Sequence, residues 1–254
     1  MTAAELVLVR HGESMGNVAA AAAHEADAEV IEVGERDADV PLSDLGREQA
    51  RALGRGVADL LADGRPTLVW SSTYVRARQT AEIALAAAGE DRRVALDERL
   101  RDRELGVLDL LTTRGVQARF PLEAERRRWL GKFYHRPPGG ESWADVVLRV
   151  RSFVRDLDAV PDGTRALVVC HDALVLSFRY VCEALTEAEV LDVGASTPVL
   201  NVSLTQLVRE PDLTWSLARF NDVGHLEASD VPVTRHGSES SVHPSDQPDD
   251  HPHA

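Results

Sequence analysis

The chain has 254 residues, 44% of them hydrophobic and 28% charged, the proportions of a globular protein with one sizeable core. Its formal net charge of −14 argues against a nucleic-acid partner, because a phosphate backbone meets net repulsion unless a local basic patch reverses it. The opening MTAAELVLVRHGES has no basic n-region and no long apolar run, and no stretch approaches the ~20 apolar residues that span a membrane, so a cytoplasmic protein is expected.

Residues 6–9 are short, apolar and rich in branched side chains, which predicts a buried parallel strand. A polar turn follows, then an Ala-rich helical stretch over residues 17–28 and an acidic, irregular loop over 31–40. Residues 43–63 read as a helix. Ser43 can cap it, Asp44 suits the positive end of the dipole, and Gly64 ends it. Leu45, Ala50, Leu53, Val57, Leu60 and Leu61 fall along one face. A second strand over 67–70 leads into a helix in SSTYVRARQTAEIALAAAG, and residues 94–96 form a short third strand. Residues 107–138 carry many arginines and predict an inserted helical lid.

Residues 142–157 predict a helix with Val146, Val150 and Phe153 on its apolar side. A buried strand at 166–170 and a helix at 173–185 follow, and strands near 202–208 and 215–220 complete the sheet. Strands alternating with helices imply an α/β fold: a three-layer sandwich with a mostly parallel central sheet flanked by helices. From Glu227 the composition turns to Ser, Pro, His and Asp, which cannot bury enough apolar surface to offset its ordering entropy. The expected domain is therefore residues 1–226, with 227–254 a disordered acidic tail. Cys170 and Cys182 lack CxxC spacing and read as buried, reduced thiols.

The chemistry-bearing letters begin with Arg10-His11-Gly12-Glu13-Ser14. A His after a buried strand sits where open α/β sheets build their sites. Gly12 lets backbone approach a ligand, and the planar guanidinium of Arg10 can hold two phosphoryl oxygens. Arg235-His236-Gly237 repeats these letters inside the tail, with no strand before it and no helix after it, and is assigned no function. The first copy has context. Arg76 lies one turn into a helix that follows a strand, where free N–H groups favour an anion. His171 ends another strand. Taken alone, His11 and His171 each also suit a purely structural histidine; the spacing by itself leaves that open.

Together these segments resemble the histidine phosphatase, or phosphoglycerate mutase-like, superfamily over roughly residues 4–220. The matching elements are LVRHGES-x-x-N at residues 8–17, PLSDLGREQA, SSTYVRARQTAEI, LRDRELG, PPGGES, the strand ending at His171, and Asn201-Val202-Ser203. The resemblance implies that His11 is phosphorylated, that Arg10, Arg76 and His171 form the phosphate pocket, and that Asn17 and Asn201 add substrate contacts. It draws the general acid from LRDRELG: Asp102, where most members carry Glu, or Glu104 two residues on. An Asp is one methylene shorter, and its carboxyl group needs a raised pKa to donate a proton to the leaving oxygen and then activate water. Two further departures are GVLDLL after the acid and Asp172 after the second His, where Gly is common; both bear on substrate shape.

The expected mechanism has His11 attacking as the neutral ring, with a backbone carbonyl near Gly12 fixing its tautomer and a protonated His171 stabilising the transferring phosphoryl group. It needs no metal and no cofactor. The implied activity is hydrolysis of a small phosphorylated metabolite. Mutase-type transfer is the alternative, favoured by Arg126, Arg127, Arg128 and Lys132 in the insert, and an inactive phospho-ligand binding module is a more distant one. A homo-oligomer stays open.

Overall fold

The computed structural model describes residues 2–236. Strand β1 (Ala3–Arg10) is followed by helix α1 (Met15–Glu25), and α2 (Asp44–Leu61) by β2 (Thr67–Ser71). Helix α3 (Val75–Ala87) then leads to β3 (Val94–Leu96). Two helices fill the insert, α4 (Thr113–Arg119) and α5 (Pro121–Tyr134), so the expected helical insertion is present. After α6 (Trp143–Asp156), β4 (Thr164–Cys170) and α7 (Asp172–Cys182) come α8 (Glu187–Ser196), β5 (Leu204–Arg209), β6 (Trp215–Asp222) and the short α9 (Gly224–Glu227).

One six-stranded sheet runs in the order β3-β2-β4-β1-β5-β6. The first four of these strands are parallel, whereas β5 joins β1 antiparallel and β6 joins β5 antiparallel. The α/β sandwich is thus confirmed, with an antiparallel edge that periodicity could not have announced. Alternate side chains of the central strands feed two cores. Leu6, Leu8, Val168 and Cys170 pack with α6 and α7, while Val7, Val9, Leu167 and Val169 pack with α2 and α3. Burial on both faces is why these strands read as continuous apolar runs.

Helix α2 starts at the Ser43 cap, whose side chain accepts from the Gly46 N–H. Helix α1 begins earlier than its Ala run: Ser14 caps it in a box with Asn17. Both cysteines are buried and free; burial raises both thiols, that of Cys182 to about 12. Among the described residues no helix is long and apolar enough to cross a membrane.

Of the stretch expected to be a tail, residues 227–236 run along the domain. Leu226 is fully buried, Gln49 Nε2 donates to the Pro232 carbonyl, and Asn201 N–H donates to the Thr234 carbonyl. Residues 227–236 therefore make contacts past the boundary set by composition: Val231 packs against the core on the α2 and α3 side of the sheet, and single polar contacts anchor the residues around it. The rest of the expected tail, with His243, His251 and His253, lies outside the described residues.

Candidate active site

Arg10 of β1 is in parallel register with Cys170 of β4, and the next residue of each strand is a histidine. His11 and His171 therefore leave the sheet side by side, with ring centroids 5.1 Å apart. On the other flank of β4, Ser71 of β2 is in register with Val169. The residue after it, Ser72, puts its Oγ 2.9 Å from His171 Nε2. One helical turn further, at the start of α3, Arg76 Nε donates to His11 Nε2 at 3.3 Å.

The proton on His11 is assigned by its partners. Nδ1 lies 2.7 Å from the Gly12 carbonyl oxygen, which can only accept, so Nδ1 carries the hydrogen and Nε2 presents its lone pair. Burial holds the imidazole well below its ordinary pKa, and Arg76, His171 and Arg10 push it the same way against the Gly12 carbonyl. The ring is a neutral base at neutral pH. Burial also lowers His171, against the opposing charge of Asp102. Burial and the Asp102 carboxylate thus pull His171 in opposite directions, so the protonated ring expected from sequence depends on its partner Asp102.

Arg10 is almost fully buried and donates to the Val199 carbonyl. Asp102 Oδ2 lies 3.2 Å from Arg76 Nη2 and 3.2 Å from His171 Nδ1, while its Oδ1 accepts from the Arg103 N–H at 2.9 Å. The His171 contact is one of charge rather than an aligned hydrogen bond. Burial works to raise the Asp102 carboxyl, but His171, Arg76 and the Arg103 N–H together hold it well below the carboxylate range. The raised pKa expected of an acid catalyst is therefore not a property of the resting site. Glu104 meets the site through Tyr74: its Oε1 accepts from the Tyr74 hydroxyl at 2.8 Å, the Tyr74 ring lies 5.2 Å from that of His171, and the Glu104 side chain is 48% exposed.

The remaining expected residues are near, with different partners. Asn17 Oδ1 accepts from the Ser14 N–H at 3.1 Å, so its oxygen serves the α1 cap and only its amide N–H groups can reach a phosphoryl oxygen. Asn201 is wholly buried and donates from Nδ2 to the His11 carbonyl at 2.9 Å. It holds the loop that carries His11; its amide does not face the pocket. In the insert, Arg126 pairs with Glu123 at the surface. Lys132 is pushed down to about 8 by burial and then by Arg127, with Asp172 opposing and Arg103 adding to the shift, which places these four charged groups in one neighbourhood.

Several residues that build the site were not picked out from sequence. Gly12 N–H donates to Thr80 Oγ1 at 3.0 Å, and Glu13 N–H donates to Gln49 Oε1 at 2.9 Å. Thr80 and Gln49 are fully buried on helices α3 and α2. A polar residue on the apolar face of an amphipathic helix was the available signal. Thr234 Oγ1 donates to Asn201 Oδ1 at 3.0 Å and accepts from Gln49 Nε2 at 2.9 Å. His236, from the second Arg-His-Gly copy, sits with Nε2 2.9 Å from Glu13 Oε2.

Backbone contact fixes the loop further. A Cβ on Gly46 would lie 1.9 Å from the Glu13 carbonyl oxygen, and one on Gly12 would lie 2.7 Å from the Gly46 carbonyl oxygen. Helix α2 and the His11 loop thus touch main chain to main chain. Gly46→Ala is expected to cost about 2–3 kcal/mol of stability, the upper range of overpacking, and to lower kcat as the loop shifts. Urea unfolding read beside turnover checks it; wild-type values for both would mean that α2 gives way freely.

Residues 6–223 match the family model described as histidine phosphatase superfamily, branch 1. The chain belongs to that superfamily. A 2,3-bisphosphoglycerate-dependent phosphoglycerate mutase of Methylobacterium radiotolerans is 34% identical over 198 residues, covering 76% of this chain and 86% of the relative. A mycobacterial glucosyl-3-phosphoglycerate phosphatase aligns in structure with a TM-score of 0.67 and 28% identity, over 87% of this chain and 99% of that one. YhfR of Bacillus stearothermophilus gives a TM-score of 0.67 at 26% identity, over 87% and 98%. Within this histidine phosphatase, among the described residues, no group of three or more His, Cys, Asp or Glu is arranged to hold a metal ion.

Proposed function

We propose that this histidine phosphatase hydrolyses small phosphate monoesters through a phosphohistidine on His11. The observation that carries the reading is the lone pair of His11 Nε2, kept unprotonated by burial and by the cations around it and aimed at the guanidinium of Arg76. A nucleophile needs that free pair, and a phosphoryl group needs those cations.

Nε2 attacks phosphorus and the ester oxygen leaves. Arg10, Arg76 and the His171 side of the pocket face the equatorial oxygens as charge spreads over them. The leaving alkoxide takes a proton from Asp102, which has acquired it on substrate binding. Asp102, now a carboxylate, then accepts a proton from the water that attacks phospho-His11, and inorganic phosphate departs. Throughout, the Gly12 carbonyl keeps the other ring nitrogen protonated. Asn17 contributes an amide N–H to the phosphate. We place the reaction in the cytoplasm, in keeping with two buried, reduced thiols.

Phosphatases among the structural relatives favour hydrolysis. The mutase reading is kept because a 34% identical relative carries that name. A panel of phosphorylated metabolites, assayed for phosphate release with and without EDTA and for phosphoglycerate isomerisation, separates them. EDTA-insensitive release of phosphate is the expected result. Isomerisation faster than release would make the chain a mutase, and no turnover of any ester would make it a binding module.

A further inference from the structure

The five N–H donors of Arg76 are all engaged by protein acceptors. Nε faces His11 Nε2. Nη1 donates to the carbonyl and to Oδ1 of Asp37, at 2.6 and 3.0 Å. Nη2 donates to Asp37 Oδ2 at 3.2 Å and to Asp102 Oδ2 at 3.2 Å. The forked carboxylate of Asp37 thus lies where a phosphoryl group attached to His11 would need two oxygens. Arg76 cannot receive phosphate until one of these partners lets go.

We propose that Asp37 is a built-in competitor for the phosphate site: its carboxylate is an internal anion on Arg76 that the phosphoryl group of an incoming ester must displace. The inference rests on the phosphatase reading for its substrate but on geometry for the displacement. Asp37 is the partner that yields. Its side chain is 35% exposed, against 18% for Asp102, which is also tied to His171 and to the Arg103 N–H. It sits on a short turn, Asp37–Asp39, inside the acidic loop. The loop is fastened on one side by the Ile31 N–H to the Leu110 carbonyl, and on the other by the Leu42 N–H to Gln79. Between the flanks of the same loop and α1 lies an open cleft of about 360 Å³ lined by Met15, Val18, Ala22, Val33 and Pro41.

The consequence is a cost shared by every phosphorylated ligand. Inorganic phosphate and phosphate esters alike must displace Asp37, so each binds more weakly than Arg76 alone would allow, and inhibition by product phosphate is weak. If the displaced form is about a tenth of the population, apparent phosphate affinity is lowered about tenfold.

The test titrates inorganic phosphate calorimetrically into wild type, Asp37→Ala, Asp37→Asn and Asp39→Ala, with melting temperatures measured alongside. Phosphate is expected to bind about tenfold or more tightly to both Asp37 variants, with wild-type affinity in Asp39→Ala. The KM for p-nitrophenyl phosphate and that for a longer ester should fall by similar factors. Should Asp37→Ala fold poorly, the near-isosteric Asp37→Asn supplies the comparison. Equal or weaker phosphate binding in a folded Asp37 variant overturns the proposal. Absence of hydrolysis in wild type would overturn the phosphatase reading instead, since the calorimetric comparison needs no turnover.

Discussion

His11→Ala is expected to lower kcat for any phosphate ester by roughly 10⁴–10⁶-fold, the scale on which removal of a covalent nucleophile acts. Without Nε2 no phosphoenzyme forms, and water attacking directly would have to cross a pocket shaped for the ring. The fold is expected to survive the change. The loop is held by backbone bonds to Thr80, Gln49 and Asn201, none of which uses the imidazole. Rapid alkaline quenching with a labelled ester, which preserves the acid-labile N–P bond, should trap phosphate on wild type and none on the variant. Wild type should also keep activity as pH falls through the ordinary histidine range: the His11 pKa is depressed, so the neutral, nucleophilic ring persists below that range and protonates only further down. Activity in His11→Ala above a tenth of wild type would sink the covalent route.

How much of this was legible before folding differs from element to element. β1 and β4 announced themselves because branched apolar runs are what a strand covered on both faces requires. Their shared register then turned two distant letters, His11 and His171, into neighbours. Strand direction was not legible at the edge, since an apolar pattern reads the same both ways along the chain, and β5 and β6 proved antiparallel. Helix α8 was missed because only Val190 in it is buried, leaving no periodic stripe. Its Thr186 and Glu189 capping box was nonetheless in plain sight.

The site divides along a similar line. Residues at the strand ends and the α3 start, Arg10, His11, Arg76 and His171, were implied together by the family resemblance, whereas spacing alone left the two histidines open to a structural reading. Partners that exist only through tertiary contact were not legible in this way. Asn201 was the right letter with a different task, holding the His11 carbonyl. Asp37 belonged to a loop that read as solvated acid, yet its carboxylate finds a buried guanidinium 39 positions away. Charge states were the least legible, because burial, which decides His171, has no sequence signature.

Asp102→Asn is the second large effect, and it depends on the leaving group. With only its protein partners, Asp102 is held as a carboxylate by His171 and Arg76 against the cost of burial. A phosphoryl dianion takes those same cations for its own oxygens. Two anions sharing one set of positive groups raise each other's pKa, so Asp102 acquires a proton as the ester binds. Linkage then requires phosphate affinity to rise as pH falls between the free and bound pKa values of Asp102, and this slope should vanish in Asp102→Asn. Calorimetry in buffers of different ionisation heat reads the proton taken up, once the protonation of phosphate itself is subtracted. The bound proton is the one an alkoxide needs and a nitrophenolate does not. For an alkyl phosphate, kcat should drop by about 10²–10⁴-fold, the range for a positioned general acid, and for p-nitrophenyl phosphate the phosphorylation step should barely change. Dephosphorylation of His11 should then slow for both substrates, because the amide cannot accept a proton from water, and phosphoenzyme should accumulate. Glu104→Gln makes the comparison decisive. Glu104 is half-exposed and bonded to Tyr74, so it should show neither leaving-group dependence nor accumulation. If the dependence follows Glu104 and not Asp102, the acid lies two residues further along the chain, and Asp102 merely orients His171 and Arg76.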